Sequence, residues 1–375
     1  MGSDIRPHGA TTARQIAARL RQWDPRADPR TAVAGCDGFV DEMISVVGER
    51  HAPGKWTALP SMADLGRVLI DATGRNGLRE IVVHSADAGG CSVNLSDGLA
   101  TLGVAVHHFG TTGNPRHPAF AEFAERCASC TAWGSVYGRS LCLEFTDGKF
   151  FLAAVDQLSA LTADVVRAHL ADGIYAERCA QADLIVLNNW SLYPHMTAIW
   201  QVLNDQVFTQ LSHRPWGFID LVDPTARSSQ DIHEMLTVVS GFEANLRIAF
   251  GVNLTEAAVL TRVLGLPDPG ADLVATAIAL RERIGVSEVI VHNRSGNAVA
   301  WDGGAVAVHP GPTCAAPVKS TGAGDRFNAG YSLGLTLGLN PAERLDLGSA
   351  VAGVFLRQGR SATTAELLAF LDAWN

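Results

Sequence analysis

Ser320-Thr321-Gly322-Ala323-Gly324-Asp325-Arg326-Phe327-Asn328-Ala329-Gly330 sets two glycines and an alanine directly before a carboxylate. The apolar stretch 331–339 that follows reads as a continuing helix. Together they describe a bare helix N-terminus, whose first backbone N–H groups have no intrahelical partner and no side chain in front of them. Free donors and the helix dipole both favour negative charge, so Gly322, Ala323 and Gly324 form an anion site. Asp325 falls in the first turn, beside that site. A carboxylate next to a cradle for negative charge suits removal of a hydroxyl proton while a phosphoryl group moves onto the same oxygen. A side chain with a reference pKa of about 4 accepts that proton late, as the oxygen turns acidic on bonding to phosphorus. The plainer readings are an Asp that stabilises the helix dipole by about 0.3–1 kcal/mol, and a tight turn, which explains one glycine better than two.

The elements that must hold these residues alternate in type. Short apolar runs at 32–36, 80–84, 105–109, 184–187, 216–220, 248–251 and 288–292 read as buried strands. Helical periodicity is expected over 92–102, 118–127, 196–211, 254–264, 272–284, 322–337 and 344–357. Such alternation predicts an α/β fold with helices on both faces of a mainly parallel sheet. Ligands of these sheets bind beyond the carboxyl ends of the strands, where Asp220, Asp223 and Asn253 would emerge. Strand-like runs at 133–145 and 149–155 flank Thr146-Asp147-Gly148, a hairpin signal outside the alternation.

Three motifs in order along the chain resemble those of the ribokinase-like (PfkB) carbohydrate kinases. Ser320 to Gly330 is similar to the family's second signature, and Ala88-Gly89-Gly90-Cys91-Ser92-Val93-Asn94 to its first. Asn253-Leu254-Thr255-Glu256 is similar to its Asn-x-x-Glu element. The resemblance spans about residues 31–363. It implies a three-layer α/β sandwich with a small β-sheet lid that keeps water from the phosphoryl group. The body would comprise 1–40, 57–131 and 157–375, and the lid 41–56 and 132–156. An ordinary surface hairpin is the simpler reading of the second lid segment. Lid sheets of the family often pair, so a homodimer is the implied assembly.

The resemblance also implies roles. Asp325 would be the general base of an ATP- and Mg²⁺-dependent sugar kinase, with the 322–324 amides stabilising the transferring group. Asp37 and Asp41 would accept hydrogen bonds from sugar hydroxyls, although one of them equally caps a turn. Gly89 and Gly90 would let backbone approach the sugar, and Asn94 would donate and accept there unless it is a packing amide. Glu256 would face Mg²⁺ through water, or be an ordinary first-turn acid. Asn253, Thr321, Asp223, Arg227, Arg294 and Gly296 would line the phosphates and nucleotide. Ribose, fructose, a keto-deoxy acid, a nucleoside and a sugar phosphate remain as acceptors; the two aspartates favour a neutral polyol, and Arg139 is the lid residue an anionic one would need.

Two departures stand out. Lys319 occupies the position where the family carries an Asp that helps hold a monovalent cation. Its ammonium either replaces that cation or faces solvent with the site lost. His292-Asn293-Arg294-Ser295-Gly296 stands where the family reads Thr-x-Gly-x-x-Gly, which leaves the identity of the nucleotide donor open. A non-catalytic sugar-binding homologue is the rival reading.

Composition excludes other classes. With 47% hydrophobic and 18% charged residues, the 375-residue chain is expected to be compact and soluble. A net charge of −9 opposes nucleic-acid and anionic-membrane partners. The polar opening 1–28 shows no signal-peptide core and no run reaches the roughly 20 residues of a membrane span. Seven scattered cysteines fit a reducing cytoplasm. Cys127-Ala-Ser-Cys130 lacks the second ligand pair of a zinc site. There is no P-loop, no complete dinucleotide fingerprint and no paired aspartates at phosphatase spacing.

Overall fold

Runs that are apolar at every position need cover on both faces, which a parallel sheet between helix layers supplies. The computed structural model describes residues 10–267, 272–309 and 311–374. Its first strands are β1 (Thr31–Cys36), β2 (Phe39–Ala52), β3 (Lys55–Ala58), β4 (Ile81–Gly89), β5 (Ala105–Gly110), β6 (Ser129–Ala132) and β7 (Gly138–Phe145). They are followed by β8 (Gly148–Ala154), β9 (Leu184–Asn188), β10 (Trp216–Asp220), β11 (Arg247–Asn253), β12 (Glu288–His292), β13 (Asn297–Trp301) and β14 (Gly304–Val308).

Nine of these form one sheet in the order β14-β13-β12-β11-β10-β9-β1-β5-β6. From β12 to β6 it is parallel, and β13 and β14 extend it antiparallel. Alternate side chains feed two cores. Val33, Ile185, Ile219 and Ile248 pack with the helices Met196–Gln206, Ser229–Phe242 and Leu273–Ile284. Ala32, Val186, Phe218 and Ala249 pack with Cys91–Thr101, Ala323–Thr336 and Pro341–Gln358. The result is the three-layer sandwich the sequence predicts.

The second sheet is built on β2, which pairs antiparallel with β4 and β3 and parallel with β7. The β7–β8 hairpin closes at the expected Thr146-Asp147 turn, with Phe145 opposite Gly148. One expectation fails. The 80–84 run was expected in the main sheet, but Ile81–Gly89 joins the small one as β4. The small sheet leaves its apolar residues part-open: Ile81 and Val83 are 46% and 48% exposed. The helix Ala10–Gln22 lies within the polar opening, whose first nine residues are outside the described ones. No described helix is long and apolar enough to cross a membrane, and all seven cysteines are free thiols.

Candidate active site

Parallel strands deliver the residues that follow them to one edge of the sheet. Asn188, Asp220, Asn253 and His292 end β9, β10, β11 and β12, with Asp220 in register with Asn188 and His292 with Asn253. Asp37 follows β1 on the same edge. Facing them are the N-termini of the helices Cys91–Thr101 and Ala323–Thr336.

Gly322 starts the second of these helices in the left-handed region (φ 85°), and no side chain caps the turn. A Cβ at Gly322 would lie 3.2 Å from Arg326 Nη1 and 3.3 Å from Asn94 Nδ2, so glycine lets the two helices converge here. The helical ladder begins with Arg326 N–H donating to the Gly322 carbonyl at 3.1 Å. Ala323 N–H is already engaged, donating to the Ser320 carbonyl at 3.1 Å. The amides ahead of the ladder therefore centre on Gly322 and Gly324. Arg326 is buried and holds the turn from behind: Nε donates to Ser361 Oγ at 3.0 Å and Nη2 to Asp97 Oδ2 at 3.2 Å.

Asp325 is buried at this N-terminus and accepts a hydrogen bond from Asn94 Nδ2 at 2.9 Å. The Cys91 thiol also hydrogen-bonds it. Burial first, then the charge of Asp220, push its carboxyl up to about 7, against the opposing pull of Arg326 and Asn94. It thus sits near the point where it is both ionisable and able to take a proton at neutral pH.

The two early aspartates separate in role. Asp37 is fully buried, and its carboxylate accepts Cys91 N–H at 2.7 Å, Ser92 N–H at 2.8 Å, Ser92 Oγ and Asn189 Nδ2 at 2.7 Å. Four donors fill the roughly four lone-pair sites of a carboxylate, so Asp37 holds the helix Cys91–Thr101 rather than facing outwards. Asp41 lies opposite Asp87 of β4 and Ser140 of β7. Burial raises its pKa to about 6, while a hydrogen bond from Ser140 and the charge of Lys319 lower it. Gly89 and Gly90 fit beneath the two: an added Cβ would stand 2.1 Å from Asp41 Oδ2 at Gly89 and 3.0 Å from the Asp37 carboxylate at Gly90.

On the other side of Asp325, Asp220 accepts Asn328 Nδ2 at 2.6 Å and Val222 N–H at 3.0 Å. Glu256 closes a capping box with Asn253, its Oε2 accepting Asn253 N–H at 2.9 Å and its Oε1 Asn253 Nδ2 at 2.7 Å. Burial, then Asp220, raise the Glu256 carboxyl to about 8. Among the described residues no three carboxylates, histidines or cysteines converge closely enough to cage a metal. The repulsion among Asp220, Asp223, Glu256 and Asp325, and the unpartnered buried Asn328 Oδ1, are what a divalent cation would relieve.

Among the other expected residues, Arg227 is committed to the backbone. Arg227 donates to the carbonyls of Trp190, Ser191 and Tyr193 and lies 4.5 Å over the Trp190 ring, so its donors brace the turn after β9. Asp223 is exposed and accepts Thr225 N–H at 2.9 Å. Arg294 is exposed at the tip of a turn closed by Asn293 Oδ1, which accepts Gly296 N–H at 2.9 Å. Thr321 is half-buried in the turn before the helix. Asn189 was not singled out in the sequence, Cys91 and Asn328 stood inside the two signatures without a role, and His292 entered only as the start of the departing turn. His292 Nε2 is buried without a partner, and burial lowers the imidazole to about 4, so it stays neutral. The pair Asn188-Asn189 directly after an all-apolar strand was the available signal.

Comparisons with known proteins bear on the family and the fold. A family model for prokaryotic ketohexokinase matches residues 8–374. The ketohexokinase of Haloferax volcanii is 26% identical over 367 residues, 97% of this chain and 96% of that protein. A ribokinase from Thermotoga maritima superposes with a TM-score of 0.59 at 16% identity, covering 92% of this chain and 99% of that one. A nucleoside kinase from Burkholderia thailandensis does so with 0.60 at 14%, covering 91% and 99%. Such distant structural likenesses bear on the fold alone, but the family match covers nearly the whole chain. The protein belongs to the prokaryotic ketohexokinase family of ribokinase-fold carbohydrate kinases.

Proposed function

We propose that this sugar kinase transfers the γ-phosphoryl group of ATP, with Mg²⁺, to a hydroxyl of a ketohexose such as fructose. The observation that carries this reading is Asp325: a buried carboxyl poised at about 7, hydrogen-bonded by Asn94, at the start of an uncapped helix. Ionised Asp325 takes the proton of the acceptor hydroxyl as that oxygen bonds to phosphorus. The free amides around Gly324 stabilise charge on the transferring group. Mg²⁺, held through water by Glu256 with Asp223 nearby, would neutralise charge on the nucleotide phosphates. Asp41 accepts from sugar hydroxyls, and the small sheet that carries it acts as a lid against water. Asp37 supports the sugar side indirectly by fixing the Gly89–Asn94 turn. A cytoplasmic setting fits the free thiols. A homodimer through the small sheet is the family expectation, which the exposed Ile81, Val83, Phe151 and Leu152 support.

The test is Mg²⁺-dependent ADP formation across fructose, aldohexoses, pentoses, nucleosides and sugar phosphates, with Asp325→Asn as control. Turnover highest with fructose is expected. Turnover only with a nucleoside or sugar phosphate would move the acceptor class, and binding without turnover would establish the non-catalytic homologue. Gly89→Ala supplies a second check: its Cβ would collide with the Asp41 carboxylate. The KM for ketohexose should rise about tenfold or more while the KM for ATP stays within twofold, roughly the effect of losing one good hydrogen bond to a charged group. An equal rise in both would place Asp41 outside the sugar site.

A further inference from the structure

Asp41 of β2 and Asp87 of β4 sit directly opposite each other in the small sheet, and like charges so placed repel. Lys319, from the turn that leads into the anion-binding helix, reaches this pair from the main body. Its Nζ lies 3.7 Å from Asp87 Oδ2. The turn itself is fixed to the body by Val318 N–H donating to the Leu356 carbonyl at 2.8 Å. The Lys319 and Asp87 side chains are 32% and 46% exposed, and such an ion pair adds little to stability. Fold maintenance therefore does not account for it. Asp41 is different: it is half-buried, pressed against Gly89, and faces Asp37 and Asp87 with Ser140 as its donor. Among the described residues, the cation whose charge bears on it is Lys319. The next charges outward, Lys149 and Glu144 on the β7–β8 hairpin, pair with each other at 2.6 Å, and the neighbouring Cys142 stays a thiol.

We infer that Lys319 is a positioning residue for the sugar: it spans the cleft from the phosphoryl-binding turn to the small sheet and keeps Asp41 an ionised acceptor. The ammonium thus serves the sugar side of the cleft, and its charge, rather than its length as a brace, is what matters. This inference rests on the sugar-kinase reading of the same cleft.

Lys319→Met, Lys319→Arg and Asp87→Asn separate the possibilities, read by fructose-induced thermal shift without nucleotide, by steady-state kinetics and by ligand-free melting at pH 6.0 and 8.5. In Lys319→Met, the Asp41 carboxyl loses its cation and holds its proton to higher pH. Fructose Kd and KM should rise about tenfold at pH 6.0 and about threefold or less at pH 8.5, with ATP KM and kcat within twofold. Lys319→Arg should stay near wild type. Asp87→Asn removes a repelling charge and should leave fructose affinity at pH 6.0 unchanged or tighter. A loss in Asp87→Asn equal to that in Lys319→Met would mark a mere brace and overturn the inference, as would unchanged fructose affinity in Lys319→Met. Should wild type neither bind nor phosphorylate fructose, the substrate reading fails on its own. The ligand-free readout still decides about Lys319: the fall of Tm from pH 6.0 to 8.5 should be steeper in Lys319→Met than in wild type, and an equal fall overturns the role. If Lys319→Met does not fold, Lys319→Gln under the same measurements takes its place.

Discussion

Asp325→Asn is expected to remove turnover while raising the melting temperature of the ligand-free protein at pH 8. The first effect follows from its proposed place as base: general-base catalysis contributes about 10²–10⁴ in rate, and kcat should fall by that range. The second follows from its burial. The folded carboxyl titrates at about 7 against 3.8 in an ordinary setting, because burial and then Asp220 disfavour its charge. The protonated form is thus favoured by folding. Its contribution is fully present below about pH 4 and is lost as pH rises through about 7. Roughly three pKa units at 1.36 kcal/mol each put the cost of its ionisation on the order of 4 kcal/mol above neutrality. The amide carries no charge, keeps an oxygen for Asn94, and escapes that cost. Calorimetry should show wild type losing Tm from pH 5.5 to 8 and the variant losing less, so the two curves diverge upwards in pH. A variant less stable than wild type at pH 8 would mean that the folded site compensates the Asp325 charge. For wild type, kcat/KM for the sugar should climb about tenfold per pH unit below about 7 and level off above it.

That opposition between stability and activity was only half legible in the sequence. The glycine spacing before Asp325 announces an anion site because only a bare helix start tolerates it, and the structure keeps that arrangement. The raised pKa depends on burial and then on Asp220, which arrives from β10 more than a hundred residues away. No local pattern carries that approach. Asp37 and Asp41 lie four residues apart in one run, so the sequence left their roles interchangeable. What separates them is which partner each meets: Asp37 ends under the N-terminus of the helix Cys91–Thr101, and Asp41 enters a strand of the small sheet. The 80–84 run misleads for a related reason, since an apolar strand reads the same whether two layers or one will cover it. Glu256 shows the reverse case. Its first-turn capping box with Asn253 was the plain local reading, and it coexists with a carboxyl raised to about 8 by burial and then by the charge of Asp220. Asn189 and Asn328 stayed invisible because a single amide signals nothing until its carboxylate partner is known.

Asp37→Ala is the second large effect, and it should appear in stability before it appears in catalysis. Removing the carboxylate strands the N–H groups of Cys91 and Ser92, the Ser92 hydroxyl and the Asn189 amide in a fully buried position. Each unsatisfied buried donor costs about 1–3 kcal/mol. Relaxation and entering water recover part of that sum, so a net loss of about 3–5 kcal/mol is the expected order. For a chain of this length each kcal/mol shifts Tm by roughly 1–2 °C, giving a fall of about 5 °C. Asp37→Asn should fall less, since its oxygen still accepts two of the four donors, although its NH₂ then faces Asn189 or a backbone N–H. The pH dependence points the same way as for Asp325. Burial raises the Asp37 carboxyl above its usual range even against four donors, so the native protein carries this strain chiefly at high pH. The destabilisation by Ala should therefore shrink as pH rises. If Asp37 instead faced the sugar directly, the Ala variant would melt like wild type and lose only ketohexose affinity, and the support would have to be sought in Asp41 alone.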